Sequence, residues 1–432
     1  MEDIPVLDLK LPQHKVDPYA IHIVRILQEA GFVTYLVGGC VRDLILERSP
    51  KDFDIATMAT PRDISRLFRN CRIIGRRFRL AHIHHGSEIY EVATFRGQGA
   101  EAVSNPREQG DAFIERTNTF GTPVQDAKSR DFTMNGLFYD PIAREVIDYV
   151  DGYQDLADGL VRTIGDPDAR MEEDPVRILR AIKFSARLGF DVDPDLQQAM
   201  RKHIPKILHC PTPRVTEELF RLGESRCATE SFSLLWEYGV LKALMPALAS
   251  YLEHADEDTQ VRYYRGLRWL DRMGQAHGPL PRDFVLSAIY LWPAWDRVTG
   301  SDQGGDWGKR TEEWFHPYGV ELQIPVRQRM RFYLLMAMVQ RMVAPKTARR
   351  FRRTRPLIRQ PAFPQALALL RIIVQTTGQF LERYDWWRTQ AQILGVPAAP
   401  FSVPREKKGA ERGDEEKPRR GRRRRRDPRS RR

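Results

Sequence analysis

The sequence predicts an α/β (α+β) head built on a small mixed β-sheet, followed by an all-helical neck, body and tail and a disordered basic C-terminus. Three observations carry that expectation. Short β-branched runs alternate with helical periods over residues 17–95, helical periodicity alone holds from about residue 167 to 395, and the chain ends on RRGRRRRRDPRSRR. With 432 residues the chain is long enough for two or three domains with real cores. The expected boundaries are 1–150 for the head, 151–225 for the neck, 226–400 for the body and 401–432 for the tail.

Within residues 17–30, Ile21, Val24, Ile26 and Leu27 recur at roughly helical spacing, and Gly31 supplies a stop. FVTYLVGG (32–39) reads as a buried strand running into a glycine turn, VRDLILE (41–47) as a short helix and KDFDIAT (51–57) as a strand. TPRDISRLFRN (60–70) reads as a helix with Thr60 as N-cap and Pro61 at its first position. RIIG, LAHIHH and EIYEVATFR supply three further strands. Residues 97–125 lack periodicity and read as a long loop. AKSRDFTMNGLFYD (127–140) should be a helix ending in a strand, and residues 145–165 two strands around a short helical turn. In DPVRILRAIKFSARLG (174–189), Val176, Leu179, Ile182 and Ala186 share a helical face, with Asp174 as cap, Pro175 at the first position and Gly189 as stop.

Composition narrows the function classes. The opening residues lack a basic stretch followed by an apolar one, so no signal peptide is expected. The longest apolar run, FYLLMAMV (332–339), is too short to span a bilayer, so a cytoplasmic location without a membrane partner is expected. Cys40, Cys71, Cys210 and Cys227 lie far apart and read as free thiols. His82 and His84 of HIHH share a strand face but lack a cysteine or carboxylate at zinc spacing, and no metal role is assigned to them. The net charge of +12 is concentrated in the terminal arginine run, which cannot bury a core and should be disordered.

The residues that suggest chemistry start with Asp52 and Asp54. Side chains at i and i+2 of a strand share a face, with Cα atoms about 6.6 Å apart. Two carboxylates so placed repel unless a cation lies between them, and two divalent ions about 3.5–4 Å apart fit that span. Hard oxygen ligands favour magnesium, with manganese as the alternative. Gly38 and Gly39, between a strand and a helix, offer bare backbone N–H groups to a phosphate, and Arg42 follows within the first helical turn. Glu91 supplies a third carboxylate on a later strand. Asp174, Arg177 and Arg180 fall at i, i+3 and i+6 on one side of a helix. An aspartate that accepts from an exocyclic amine beside an arginine that donates to a ring nitrogen suits adenine or cytosine, and suits neither guanine nor uracil.

Taken in order, LVGGCVRDLIL, PKDFDIAT, EVATFRG, SRDFTMNGLFYD and EEDPVRILRAIKF resemble the motifs of the bacterial class II nucleotidyltransferases, the family of CCA-adding enzymes and poly(A) polymerases in the polymerase-β-like superfamily. The resemblance covers residues 33–190 closely and implies a head, neck, body and tail whose helical parts hold RNA. It implies Asp52 and Asp54 as the metal-binding catalytic pair, with Glu91 in support. It assigns the triphosphate to Gly38, Gly39 and Arg42, and the ribose to Arg130 and Asp131. Asp174 and Arg177 would read the base edge, with Arg180 stabilising that arrangement. Two positions depart from the family pattern. Ser129 stands where the first arginine of Arg-Arg-Asp is usual, and Gly136 follows Asn135 where a small side chain is usual.

The choice of product rests on other residues. IIGRRFRLAHI (73–83), with Arg76, Arg77 and Arg79, resembles the stretch that separates bacterial poly(A) polymerases from CCA-adding enzymes. Arg349, Arg350, Arg352 and Arg353 would form a basic stripe on the body, and Arg422, Arg423 and Arg424 lie in the terminal run. Both suit sequence-independent attraction to RNA phosphates. FVLSAIYLWPAW (284–295) and YDWW (384–387) read as helix core before base-stacking platforms. The expected activity is template-independent transfer of AMP from ATP to RNA 3′ ends, with magnesium as cofactor and mRNA, small RNA or tRNA as primer. CCA addition to tRNA is the alternative. A non-catalytic RNA-binding protein is the third reading, and it would predict a degraded carboxylate set, whereas Asp52, Asp54 and Glu91 all stand.

Overall fold

The computed structural model describes residues 5–75, 80–97, 121–300, 305–344 and 354–397. Arg76, Arg77, Arg79, Arg349, Arg350, Arg352, Arg353, Arg422, Arg423 and Arg424, together with most of the expected 97–125 loop, lie outside the described residues.

The strands are β1 (Val6–Leu7), β2 (Thr34–Val37), β3 (Ile55–Thr57), β4 (Cys71–Ile74), β5 (Leu80–His85), β6 (Glu88–Thr94), β7 (Leu137–Asp140) and β8 (Glu145–Asp148). They form one mixed sheet in the order β1-β8-β7-β2-β3-β6-β5-β4. Strands β3 and β6 run parallel, with Ile55 level with Val92, and the other neighbours are antiparallel. The expected strands at 137–140 and 145–148 join this sheet as the hairpin β7–β8, and the two-residue β1, which was not expected, extends it further. Strand β3 is shorter than expected. The strand starts at Ile55, so Asp52 and Asp54 sit in the chain just before it.

Helices of this part pack on the sheet through caps that the sequence displays. Asp17 caps α1 (Pro18–Glu29), its Oδ1 accepting from the Tyr19 and Ala20 amides at 2.8 and 2.9 Å. The buried face of α1 is Ala20, Ile23, Val24 and Leu27, one register from the expected stripe, which leaves Ile21 and Ile26 half-buried. After α2 (Gly39–Ile45) comes α3 (Pro61–Leu67), which has the expected Thr60 cap and Pro61, completed into a capping box by Asp63. Helices α4 (Pro123–Ser129) and α5 (Gly152–Asp158) complete this part.

Beyond it lie α6 (Pro167–Glu173) and α7 (Arg177–Leu188), flanked by the short parallel strands β9 (Leu160–Val161) and β10 (Asp191–Val192). The expected Asp174 cap holds the turn into α7, its Oδ1 accepting from the Val176 amide at 3.3 Å and its carbonyl from the Arg177 amide at 3.0 Å, but a further helix that the sequence did not separate precedes it. Asp166 and Pro167 open a separate helix, α6, and Asp174 ends it in an extended conformation (φ −147°, ψ 88°), as a residue before proline favours. The remainder is helical: α8 (Pro194–His203), α9 (Thr212–Glu224), α10 (Ala228–Glu237), α11 (Val240–Leu244), α12 (Pro246–Glu253), α13 (Glu257–His277), α14 (Arg282–Ile289), α15 (Leu291–Thr299), α16 (Trp307–Glu321), α17 (Val326–Val343), α18 (Thr354–Ile358), α19 (Phe363–Thr377) and α20 (Leu381–Ile393). Phe284, Tyr290 and Trp292 are fully buried, so the aromatic run 284–295 serves the core. No helix among the described residues is long and apolar enough to cross a membrane, and the four cysteines are free.

Candidate active site

Strand β2 ends at Gly38, whose φ of 74° opens the turn into α2. A Cβ there would stand 2.8 Å from Arg130 Nη1, so the missing side chain lets that guanidinium lie on the turn. Arg130 Nε and Nη2 donate to Asp126 Oδ2 at 3.0 and 2.8 Å, and its guanidinium lies 5.4 Å from the centre of the Phe138 ring. The sequence offered Arg130 for the ribose; the structure sets it against the glycine turn offered for the triphosphate. Arg42 is only 2 % exposed. Its Nη1 donates to Asn135 Oδ1 at 2.7 Å, and its Nε and Nη2 donate to Asp43 Oδ1 at 2.9 and 2.7 Å.

Strand pairing sets the carboxylates. The Val37 amide donates to the Asp54 carbonyl at 3.0 Å, which ties the segment before β3 to the end of β2. Because Ile55 is level with Val92 in a parallel pair, Asp54 comes level with Glu91. Tyr90 and Val92 point into the core, so Glu91 points to the other face. Protein packed around Asp54 pushes its carboxyl above the usual carboxylate range, although its surface still meets solvent. Glu91 and Asp52 push it the same way, and Arg130 opposes them. The Cys40 thiol is fully buried, and that burial, helped by the Asp54 carboxylate, pushes it up to about 12. Sequence reasoning missed His82 as a neighbour of Glu91. It is level with Glu91 across β5–β6, with Nε2 3.6 Å from Oε1.

The second cluster joins the two parts of the molecule. Asp131 Oδ2 accepts from Arg180 Nε at 2.7 Å and from Arg180 Nη2. Its Oδ1 accepts from Asn135 Nδ2 at 3.2 Å and the Phe132 amide at 3.0 Å. Burial raises the Asp131 carboxyl, but Arg180 and these donors outweigh burial and hold it below the ordinary range. The trio Asp174, Arg177 and Arg180 therefore divides. Arg180 turns to Asp131, Asp174 Oδ2 accepts from Arg214 Nη2 at 2.5 Å, and Arg177 Nη1 donates to Glu173 Oε2 and the Arg170 carbonyl, both at 2.7 Å. Arg170 is a further residue that the sequence did not single out. It donates from Nη1 to Glu173 Oε2 at 2.8 Å, and from Nη2 to the Ser129 carbonyl at 3.3 Å and the Arg130 carbonyl. Asn135 and Asp126 were legible only in part: one stood in a quoted motif, the other one helical turn before Arg130.

Oxygen donors that repel one another, as Asp52, Asp54 and Glu91 do, fit a hard divalent cation. Among the described residues no three His, Cys, Asp or Glu side chains converge to cage an ion unaided, so phosphate oxygens would have to share its coordination. The cavity of about 570 Å3 between α12, α13, α15 and α16, lined by residues such as Tyr251, Asp296 and Trp314, lies away from these residues.

A mixed sheet with Glu91 on one of two parallel strands and Asp52 and Asp54 just ahead of the other, beside a glycine turn and followed by a helical body, fits the nucleotidyltransferase class. Comparison with known proteins narrows the class. Residues 34–162 match the family model described as "Poly A polymerase head domain", and residues 189–252 match "Probable RNA and SrmB-binding site of polymerase A". The chain is 42% identical over 283 residues to poly(A) polymerase I of Haemophilus influenzae, covering 65% of this chain and 63% of that protein. It is 38% identical over 294 residues to poly(A) polymerase I of Escherichia coli O157:H7, covering 67% and 63%. The CCA-adding enzyme of Geobacillus stearothermophilus is 33% identical over 250 residues, covering 58% of each. These alignments span less than two thirds of the curated relatives' length. Among solved structures, the Bacillus stearothermophilus CCA-adding enzyme in complex with CTP superposes with a TM-score of 0.60 at 24% identity, over 89% of this chain and 85% of that one. A tRNA nucleotidyltransferase complexed with a primer tRNA and an incoming ATP analog also gives 0.60 at 20% identity, over 87% and 100%. Over residues 34–162 the chain carries the head domain of poly(A) polymerases, and its relatives of 33% identity and more include both poly(A) polymerases and CCA-adding enzymes.

Proposed function

We propose that this chain is a template-independent poly(A) polymerase, transferring AMP from ATP to the 3′ ends of RNA. The observation that carries the proposal is the parallel register of β3 and β6, which sets Asp54 level with Glu91 and, with Asp52, gathers mutually repelling carboxylates beside a glycine turn. Higher identity to relatives named poly(A) polymerase I than to those named CCA-adding enzyme supports the choice of product.

In the reaction the primer 3′ oxygen bonds to the α-phosphorus of ATP, the bond to the pyrophosphate oxygen breaks and pyrophosphate departs, and the hydroxyl proton passes to solvent. Asp52 and Asp54, supported by Glu91, would hold magnesium, which when bound lowers the pKa of the hydroxyl and offsets phosphate charge. Backbone N–H groups at Gly38 and Gly39, with the Arg130 guanidinium on the same turn, would receive the triphosphate. Asp131 would meet the ribose with its orientation set by Arg180 and Asn135. Arg214 holds Asp174 and Glu173 holds Arg177, so the pair offered to the base edge is set from outside itself. On this reading residues 1–150 transfer, 151–225 read the base and 226–400 hold the primer, mRNA or small RNA.

The test supplies magnesium, ATP or CTP, and two acceptors: an unstructured RNA and a tRNA lacking its CCA end. Long A-tracts on the unstructured RNA are expected. Addition of CCA that then stops would replace this reading with CCA repair, and no incorporation at all would leave a binder of RNA.

A further inference from the structure

Many arginines of the helical part face carboxylates: Arg180 meets Asp131, Arg214 meets Asp174, Arg282 meets Glu217 and Glu224, and Arg331 meets Asp283. A group on α13 and α19 departs from that pattern. Arg265, Arg268 and Arg272 of α13 are exposed, and at about 100° per residue they fall within about 60° of one another. Arg371 of α19 is exposed across from them. Among the described residues no carboxylate stands within 4.0 Å of these four, whereas Arg388 of α20 has Asp385 at 3.5 Å.

Trp269 lies between the two helices. The Arg272 and Arg371 guanidiniums stand 5.5 and 5.2 Å from the centre of its ring. Beside it opens a cavity of about 370 Å3 with Met273, Leu367 and Leu381 as apolar walls and Tyr384, Arg371 and Arg388 at its edges. Like charges gathered on one helix face repel, so the arrangement is unfavourable until an external anion arrives. Guanidiniums in a row with aromatic rings and an apolar floor match the phosphates and bases of a single strand. An acidic peptide would use the charges and leave the aromatic edge unexplained.

We propose that the groove between α13, α19 and α20 is a second nucleic-acid site, which takes a single-stranded RNA segment with phosphates on the arginines and bases against Trp269 and Tyr384. It deepens the poly(A) polymerase reading, on which it rests for the identity of the strand, and uses elements other than those that carry Asp54.

The test uses the full chain and fluorescence anisotropy with oligouridines of about 30 and about 6 nucleotides over a sodium chloride series. The variant Arg268→Gln/Arg272→Gln/Arg371→Gln should weaken binding of the long strand by about 10- to 100-fold at low salt and reduce the log–log salt slope by about 2. Trp269→Leu should weaken binding at least about 5-fold with the slope unchanged. AMP incorporation into the short strand should fall far less than long-strand affinity in either variant, and unaltered melting temperatures establish that both fold. Unchanged long-strand affinity and slope would overturn the proposal, as would equal binding of poly-glutamate of matched charge. Wild-type binding without any AMP incorporation would sink the polymerase reading and leave the groove standing.

Discussion

Asp54 carries its charge against its surroundings, and that has consequences for stability as well as for chemistry. Its folded pKa lies above the unfolded value of about 3.9. The stability associated with its proton is therefore complete below about pH 4 and is lost as pH rises through the folded value. We expect Asp54→Asn to raise the melting temperature of metal-free protein near neutral pH, with the difference vanishing toward about pH 4. Magnesium should raise the wild-type melting temperature and leave that of the variant nearly unchanged. A variant less stable than wild type at neutral pH would contradict this assignment of charge. At Gly38, both the φ of 74° and the 2.8 Å approach of Arg130 Nη1 oppose a side chain. Gly38→Ala should cost about 1–3 kcal/mol, read from the urea midpoint. At this scale the sequence displayed residue type and spacing, which is why Gly38, Asp52 and Asp54 stood out. It could not display partners set by register, such as His82 beside Glu91 or Asn135 between Arg42 and Asp131.

Between elements, the junction of α6 and α7 with the sheet part is the best-defined contact around the site. Arg170 from α6 holds the carbonyls of Ser129 and Arg130, Arg180 from α7 holds Asp131, and Arg187 holds Asp43 at 3.1 Å. Removing the guanidinium in Arg180→Met should destabilise by roughly 2–3 kcal/mol. The value sits below the fully buried range because the Arg180 side chain is 30% exposed. A double-mutant cycle with Asp131→Asn should recover much of that loss, and additive losses would mean that the pair does not act as a unit. The corner at Asp174 shows what the sequence concealed. Asp-Pro opens a helix at 17–18, 166–167 and 193–194, so the same dipeptide at 174–175 reads as a fourth start. There Asp174 both closes α6 and caps the turn from which regular α7 grows at Arg177, so what the sequence did not display was the helix that ends on the cap. A strand of two residues such as β10 is too short to leave any periodicity, whereas β9 was expected as the second strand of 145–165.

Across the whole molecule, a mixed sheet with a helical continuation was legible because its motifs are local and their order is fixed along the chain. The extent of the sheet was not, since β1 pairs with β8 across about 140 residues of chain and no local pattern encodes that closure. Product choice was least legible of all. Asp174 and Arg177 suit two bases, and the groups that hold them, Arg214 and Glu173, become apparent only once the helices have packed. The central claim is that carboxylates gathered by the β3–β6 register transfer nucleotides to RNA. It is tested most directly by single-turnover incorporation of labelled AMP into an unstructured RNA by wild type and Asp54→Ala, with RNA affinity measured on the same samples. The account predicts a loss of at least about 10³-fold in incorporation with affinity held within about 3-fold. Substantial incorporation by Asp54→Ala at unchanged affinity would contradict it.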